Sequence, residues 1–463
     1  MYKNFPFLKD KVSIDKQLTF KRGHDVGHLA QQLFEGGIDV SSETSNAQAA
    51  LERTAQLIES KQAVIYEAAF MHRSLLIYVD ILVLQNNIYQ AFEVKSSLKV
   101  SETYLKDAYL QYYVLKNTLS NFDDLFLVTL NADYRLQGDL EPKKLFKKRS
   151  VKIKAEENLA YFEHRLNDAN LLLEENKIPN TPVGAQCFKP YQCDFFGSCW
   201  KDLNQAESIF NLPLIEKSKL FEWHAAGYKN ITQLNESLFE KEHQKKLWKS
   251  FLNRERIIQL DTIAQFIKDI KGDVLAMDME IWNPAIPQSQ GSRPFEQIPF
   301  LVCTYNGEKT DHYFVEDINQ SSKNFAEALI ALGANYRSIL VYDKTMEVNT
   351  IDALMHAYPD LNQELQQLKN KFHDLFDVFL GLHFYDPAFK NNFTLKSTAT
   401  VLLGEQSGYS KISSGLEAMN YYQTYLKSAN SIEQLEFKNE LVEYCNTDCK
   451  TTFELFHFLK NLL

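Results

Sequence analysis

Leu75-Leu76-Ile77-Tyr78-Val79-Asp80-Ile81-Leu82-Val83-Leu84, the turn Gln85-Asn86-Asn87, and Ile88-Tyr89-Gln90-Ala91-Phe92-Glu93-Val94-Lys95 form the stretch on which the reading of this chain turns. Two apolar runs rich in β-branched and aromatic residues, parted by a short polar turn, predict a β-hairpin. Alternate residues of a strand share a face, so Glu93 and Lys95 point the same way, and the neighbouring strand can bring Asp80 beside them. Two carboxylates and an ammonium are poor core material, because buried charge is costly unless it is paired or bound to metal. They suit a site that holds a divalent cation next to a phosphate. Glu67, in Tyr66-Glu67-Ala68 on the preceding apolar run, offers a further carboxylate.

Around this hairpin the pattern is mixed. Residues 21–60 read as helical, and Ala63-Val64-Ile65-Tyr66-Glu67 predicts a strand ahead of the hairpin. Tyr104, Ala108, Gln111, Tyr112 and Leu115 recur at helical spacing within 101–118. Phe126 to Leu130 predicts another strand, and a helix follows near 155–175. Residues 205–270 contain no convincing strand. There, Leu220 to Tyr228 with Gly227, followed by Ile231 and Leu234, fits either a plain helical connector or a helix-hairpin module touching DNA through loop amides. From 273 onward, strands are predicted at Asp273 to Glu280, Phe300 to Tyr305, Asp311 to Val315 and Ser338 to Tyr342, with a helix at 322–333 and a mainly helical remainder. This is an α/β chain in three parts: 1–202, a helical connector at 203–271, and 272–463.

The 463 residues are 45% hydrophobic and 24% charged, ordinary for a globular protein with sizeable cores. No apolar run approaches the roughly 20 residues that span a bilayer. Met1-Tyr2-Lys3-Asn4-Phe5-Pro6 has no signal-peptide pattern, so a cytoplasmic protein without membrane attachment is expected. The net charge of −10 argues against a general nucleic-acid coat. Local basic clusters can still contact phosphate. One comprises Lys143, Lys144, Lys147, Lys148, Arg149, Lys152 and Lys154, the other Lys241, Lys245, Lys246, Lys249, Arg254 and Arg256. Each also fits a solvated face. Cys187, Cys193 and Cys199 stand at equal spacing in one short segment, whereas Cys303, Cys445 and Cys449 are scattered. Clustered thiols in a cytosolic chain read as metal ligands, and by softness they suit zinc or an iron–sulfur cluster equally.

A second set of acids lies in the C-terminal part. Asp278 and Glu280, two apart on a predicted strand, share a face. Tyr444 and Asp448, in Tyr444-Cys445-Asn446-Thr447-Asp448, lie one helical turn apart. Between them, Leu340 to Glu347 supplies a third acid, either Glu347 or Asp343. Asp374 and Asp377 are auxiliary candidates.

The hairpin acids with Lys95, followed by Gln111-Tyr112-Tyr113, resemble the PD-(D/E)XK nuclease superfamily and its RecB-type members. The resemblance implies that Asp80 and Glu93 bind Mg²⁺ or Mn²⁺, that Lys95 stabilises phosphate charge and that Gln111 belongs to the site. Gly23, His24, Gly27 and His28 occupy the place of an upstream glycine–histidine motif without matching its spacing, so His28 reads as a helix-surface residue. Cysteines after the nuclease core resemble those that bind a [4Fe–4S] cluster in RecB-like and CRISPR-associated nucleases. No cysteine precedes Cys187, so this chain offers three of the four ligands, for a cluster or for Zn²⁺. Asp278, Glu280, Glu347, Tyr444 and Asp448 resemble the DnaQ-like (DEDDy) exonucleases, in which four acids hold two metal ions and a tyrosine positions water.

From Lys21-Arg22-Gly23 to Asp448, including Thr394-Leu395-Lys396, the order of blocks resembles a bacterial family. That family fuses a RecB-like, CRISPR-associated-type PD-(D/E)XK nuclease domain with its cysteine motif to an RNase H-like exonuclease domain. The implied function is a metal-dependent nuclease acting on DNA rather than RNA, at single strands or ends, through two hydrolytic sites. The competing expectation is a non-catalytic or singly active nucleic-acid-binding protein built on degenerate nuclease folds.

Overall fold

Val64–His72 (β2), Leu75–Gln85 (β3) and Ile88–Lys95 (β4) form an antiparallel meander, as the hairpin pattern predicts. The computed structural model describes residues 1–463 apart from 3, 176, 179, 204, 320, 321 and 405–410. Two compact units emerge: Met1–Thr181 with Asn283–Glu296, and Pro182–Trp282 with Gln297–Leu463.

In the first unit the meander is completed by Ile38–Asp39 (β1), parallel to β2, by Phe122–Leu130 (β5), parallel to β4, and by Phe146–Ser150 (β6), antiparallel to β5. A parallel pair requires a crossover, and the Glu102–Thr118 helix supplies it between β4 and β5. One sheet face buries Ile65, Val79, Leu82, Ala91, Leu125 and Leu127 with Tyr112 and Leu115 of that helix. The other buries Val64, Tyr66, Ile81, Phe92 and Val128 with Val26 and Ala30 of the Ile14–Gln31 helix. Strand β6 was not predicted, because Phe146-Lys147-Lys148-Arg149-Ser150 is almost wholly polar. As the sheet's edge it exposes all but Phe146, which suits a charged sequence.

The ladder is interrupted at one place. Tyr66 pairs with Ile81 and Ala68 with Val79, so the register holds across Glu67, whose backbone is left-handed (φ 52°) opposite Asp80. Tyr66, the residue before it, is tied to the end of the first helix. Its hydroxyl donates to the carbonyls of Phe34 (2.5 Å) and Gln31 (3.2 Å) and accepts from the Gly37 N–H (3.3 Å). A Cβ at position 37 would collide with the Tyr66 ring, which is why glycine stands there.

The second unit is built on a mixed sheet ordered β10-β9-β8-β11-β12. Its strands are Val274–Trp282 (β8), Ile298–Tyr305 (β9), Thr310–Phe314 (β10), Ser338–Val341 (β11) and Phe372–Asp374 (β12). β8 lies at the centre, antiparallel to β9 and parallel to β11. The Ser431–Lys460 helix packs across β8 and β9. Buried Tyr422 stacks on Phe300 at 4.1 Å and donates to the Val315 carbonyl at 3.0 Å. Ile257–Ile258 (β7) pairs with Phe384–Tyr385 (β13), a short ladder in a region where no strand was expected.

The compact division falls at Thr181/Pro182 rather than at 202/203, and aromatic packing explains it. Phe188, Phe196 and Trp200 of the cysteine segment interlock with Phe210 and Phe221 of the connector, Phe196 stacking on Trp200 at 4.7 Å. No helix is long and apolar enough to cross a membrane among the described residues.

Tyr66→Phe removes the donor to the Gln31 and Phe34 carbonyls. Denaturant unfolding of the full chain is expected to show a loss of about 1–3 kcal/mol in the first unit.

Candidate functional site

Glu93 and Lys95 share the face that the Glu102–Thr118 helix covers, because Tyr89 and Ala91 of the same strand point there. Asp80 reaches across the hairpin and accepts the Val94 N–H at 2.5 Å. The Lys95 ammonium donates to Glu93 Oε1 at 2.7 Å and to Asp107 Oδ2 at 2.5 Å, and stands 5.6 Å from the centre of the Tyr104 ring. The other Glu93 oxygen is buried with no hydrogen-bond partner. Gln111 lies one turn beyond Asp107 on the same helical face, buried, with its carbonyl oxygen likewise unsatisfied.

Burial raises the Glu93 carboxyl, and the Asp80 charge adds to it against the pull of Lys95. Asp80 is raised by burial as well, opposed by the Val94 N–H. Glu67 is pushed up to about 7, by burial first and then by Asp39 and Glu93. Burial draws the Lys95 ammonium down, but Glu93 and Asp107 outweigh it and hold it above its ordinary value. Asp80, Glu93 and Lys95 are thus brought together, while Glu67 does not complete a close three-oxygen set with the two acids. His24 and His28 lie exposed on the first helix.

The second group is more tightly gathered. Asp278, Glu280 and Asp448 each offer an oxygen within 4.8 Å of the others. The ligand oxygens of one magnesium ion stand at most about 4.2 Å apart, given bonds of about 2.1 Å, so this set fits an ion after small side-chain movement. Burial raises Asp278 and Glu280 well above the carboxylate range, and Asp448 and Glu347 raise both further. Glu347 is 4% exposed and pushed up to about 8, by burial before any neighbour. One oxygen each of Asp278 and Glu347 is buried without a hydrogen-bond partner. Tyr444 is buried beside these acids, its phenol raised by burial and then by Glu280, Asp448 and Asp278. Lys396 stands over its ring at 5.0 Å and opposes the rise at Glu280.

Between the two candidates for the third acid, Glu347 is the buried one. Asp343 is exposed and accepts from Thr345 Oγ1 at 2.6 Å at the start of the Thr345–Ala357 helix. Asp374 is a clamp, its carboxylate accepting the N–H groups of Asp343 (2.9 Å), Lys344 (3.0 Å) and Phe376 (3.0 Å). It thereby holds the start of the helix that carries Glu347. Asp377 pairs with Lys344 at the surface.

The cysteines exchange places with expectation. The scattered Cys303, Cys445 and Cys449 converge in the core behind β8, where the Cys445 thiol donates to the Asp278 carbonyl (3.4 Å) and the Cys449 thiol to that of Cys303 (3.2 Å). Small thiols let the long helix lie close to β8 and so bring Asp448 to Asp278. Cys187 is half-buried and Cys193 and Cys199 are exposed. Their three sulfurs do not gather within 4.8 Å of one another. Tetrahedral zinc, with Zn–S bonds of about 2.3 Å, needs sulfurs about 3.8 Å apart, so this segment does not fit that ion as it stands.

The helix-hairpin reading loses its donors. The N–H groups of Ala226, Gly227 and Tyr228 bond to Glu222, His224 and Trp223, and that of Ile231 bonds to Glu207. Those of Lys229 and Asn230 are taken by the Gln233 side chain. The basic clusters are largely paired as well: Lys147 with Asp133, Lys152 with Asp123, Lys245 with Glu242 and Arg256 with Asp386. Asp107 and Lys396 escaped the sequence reading. Asp107 was legible only as the residue one turn before Gln111, and Lys396 stood in a quoted block with no role.

Glu67, Asp80, Glu93, Asp278, Glu280 and Glu347 each have a folded pKa above the unfolded value near 4. Stability without divalent ions is therefore full at acid pH and lost as pH rises through about 7 for Glu67 and about 8 for Glu347. Melting of chelator-treated protein should fall between roughly pH 5 and 8. Mg²⁺ or Mn²⁺ should restore it, more at pH 8 than at pH 5, and Asp278→Asn should raise the ion-free melting temperature by a few degrees.

Comparison with known proteins adds one family and one structure. A family described as "Domain of unknown function (DUF2779)" matches residues 275–394, a stretch that holds Asp278, Glu280 and Glu347 and stops before Tyr444 and Asp448. No curated protein matches the chain. Among solved structures it is similar to the family B DNA polymerase from the hyperthermophilic archaeon Pyrobaculum calidifontis, at 16% identity and a TM-score of 0.24. That match covers 40% of this chain, and the chain spans 24% of the polymerase's length.

Proposed function

We propose that this chain is a divalent-metal-dependent nuclease hydrolysing phosphodiester bonds of nucleic acid, DNA single strands or ends before RNA. Its main site is the set Asp278, Glu280, Glu347 and Asp448. The observation that carries the reading is the convergence of acids from separate elements, Glu280 and Glu347 buried and Asp278 and Asp448 half-buried, with one oxygen each of Asp278 and Glu347 buried and lacking a hydrogen-bond donor. Such an arrangement costs stability unless cations fill it. Magnesium or manganese ions held there would neutralise developing charge and polarise phosphoryl oxygens.

The residues of the chain divide the remaining work. Asp278 and Glu280 present two oxygens from a rigid central strand, Asp448 approaches from the long helix, and Glu347 closes the set. Tyr444 keeps its proton and can orient a water by hydrogen bonding, while Lys396 offsets negative charge at Glu280. In the first unit Asp80 and Glu93 form a second candidate ion site, with Lys95 poised at Glu93 to stabilise phosphate charge. Asp107 holds Lys95 and Gln111 lines the same helical face.

The finer fold reading, a PD-(D/E)XK nuclease fold followed by a helical connector and an RNase H-like exonuclease fold, draws support from two features. Acids and lysine sit at the end of a meander backed by a crossover helix. An acid pair sits on the central strand of a second, mixed sheet.

The test is cleavage of end-labelled DNA and RNA oligonucleotides with Mg²⁺ or Mn²⁺. Chelator should stop it. Asp278→Asn should reduce the activity of one site, and Lys95→Ala that of the other, by about 10²-fold or more, with cooperative unfolding retained in both variants. Full cleavage by the double variant overturns the proposal.

A further inference from the structure

Among the charged groups near the first site, Arg22 has no assigned work. Lys95 spends two of its three donors on Glu93 and Asp107. Arg22 has no hydrogen bond or ion pair among the described residues, although it is half-buried. It continues the Val26 and Ala30 stripe one turn towards the start of the Ile14–Gln31 helix, so its stem follows the face turned to the sheet. Its guanidinium lies over the Phe295 ring at 5.2 Å. The Tyr104 phenol is close enough for its charge to act on Arg22, and the Tyr104 ring centre is 5.6 Å from the Lys95 ammonium. Tyr104 stands in the first turn of the Glu102–Thr118 helix, beyond the C-terminal end of β4. Arg22 therefore reaches the same end of the strand that carries Glu93 and Lys95.

A guanidinium in this position is unusual in its spare capacity. Its five N–H donors are fixed in a planar fork that matches a phosphate, and a flat aromatic face beneath it restrains the plane. Burial without an acceptor lowers its proton affinity, a cost that no carboxylate offsets here. Beside Lys95 the surrounding charge is negative: Glu67 and Asp107 both act on Asp80, and Asp80 and Asp107 act on Glu93. An anionic polymer approaching that end of β4 needs a cation not already committed to a carboxylate.

We infer that Arg22 binds a backbone phosphate of a single nucleic-acid strand at the end of β4, next to the phosphodiester presented to Asp80, Glu93 and Lys95. The inference rests on the nuclease reading of the first site and deepens it. Arg22 is a substrate-binding residue, distinct from the metal-holding acids, and it recognises phosphate rather than base. Stacking on Phe295 sets its orientation, and the fork can take two oxygens of one phosphate bidentately.

The test is binding of a fluorescein-labelled single-stranded oligodeoxynucleotide to the full chain by anisotropy, in Ca²⁺, across a series of salt concentrations. Arg22→Ala should weaken binding about tenfold at low salt. It should also reduce the slope of log affinity against log salt by about 0.7, the signature of one lost contact to a single strand. Arg22→Lys, which keeps the charge and an aliphatic stem over Phe295, should retain the slope and bind several-fold more weakly than wild type. Equal affinity and slope for Arg22→Ala and wild type overturn the inference. So does a loss that is constant across salt and accompanied by a lower melting temperature, which assigns Arg22 to packing on Phe295. Failure of the wild-type chain to bind the oligonucleotide at any salt overturns the nucleic-acid reading itself, a result distinct from the other two.

Discussion

Like charges buried together are the constraint around which both units are arranged. A carboxylate removed from water must find donors, find a cation or take up a proton. At Asp278, Glu280 and Glu347 the polypeptide supplies few donors, and burial pushes all three carboxyls upward. The same conflict recurs more mildly at Asp80 and Glu93, where Lys95 compensates in part. Sites of this kind lower the stability of the ion-free fold and mark positions where function outweighs packing.

The scaffolding around the second site makes the conflict sustainable. A central strand buried on both faces holds Asp278 and Glu280 rigidly. Three buried thiols, raised by their surroundings and kept protonated, let the long helix approach without introducing further charge. Asp374 spends its own carboxylate on backbone amides, so the start of the Glu347 helix is held by neutral donors rather than by a lysine that would quench the site. The first site is built otherwise. A left-handed backbone at Glu67 and a helical crossover frame its acids, and Asp107 balances the lysine from the covering helix.

What the sequence made legible follows from which interactions are local. The hairpin from Leu75 to Lys95 has period-two alternation and a turn, and both are short-range signals, so its strands and the shared face of Glu93 and Lys95 could be read directly. The same holds for Asp278 with Glu280 and Tyr444 with Asp448, where spacing alone sets the common face. Asp107, Lys396 and Arg22 were not legible as site residues, because each enters through tertiary packing that spacing does not encode. Strand β6 was hidden by its charged, edge-strand composition. The grouping of the cysteine segment with the connector came from contacts among Phe188, Phe196, Trp200, Phe210 and Phe221, which no periodicity announces. The equal spacing of Cys187, Cys193 and Cys199 suggested convergence, yet the thiols that do meet are Cys445 and Cys449, one helical turn apart, with the distant Cys303. The order of the competing acids Asp343 and Glu347 was decided by burial, a property of the folded chain.

Calorimetric titration of the chelator-treated full chain with Mn²⁺ addresses the central claim most directly. Saturable binding that is lost in large part on Asp278→Asn, with a weaker class removed by Asp80→Asn, is the result this account predicts. Absence of saturable heat up to millimolar Mn²⁺, or a binding isotherm unchanged by both substitutions, would contradict it.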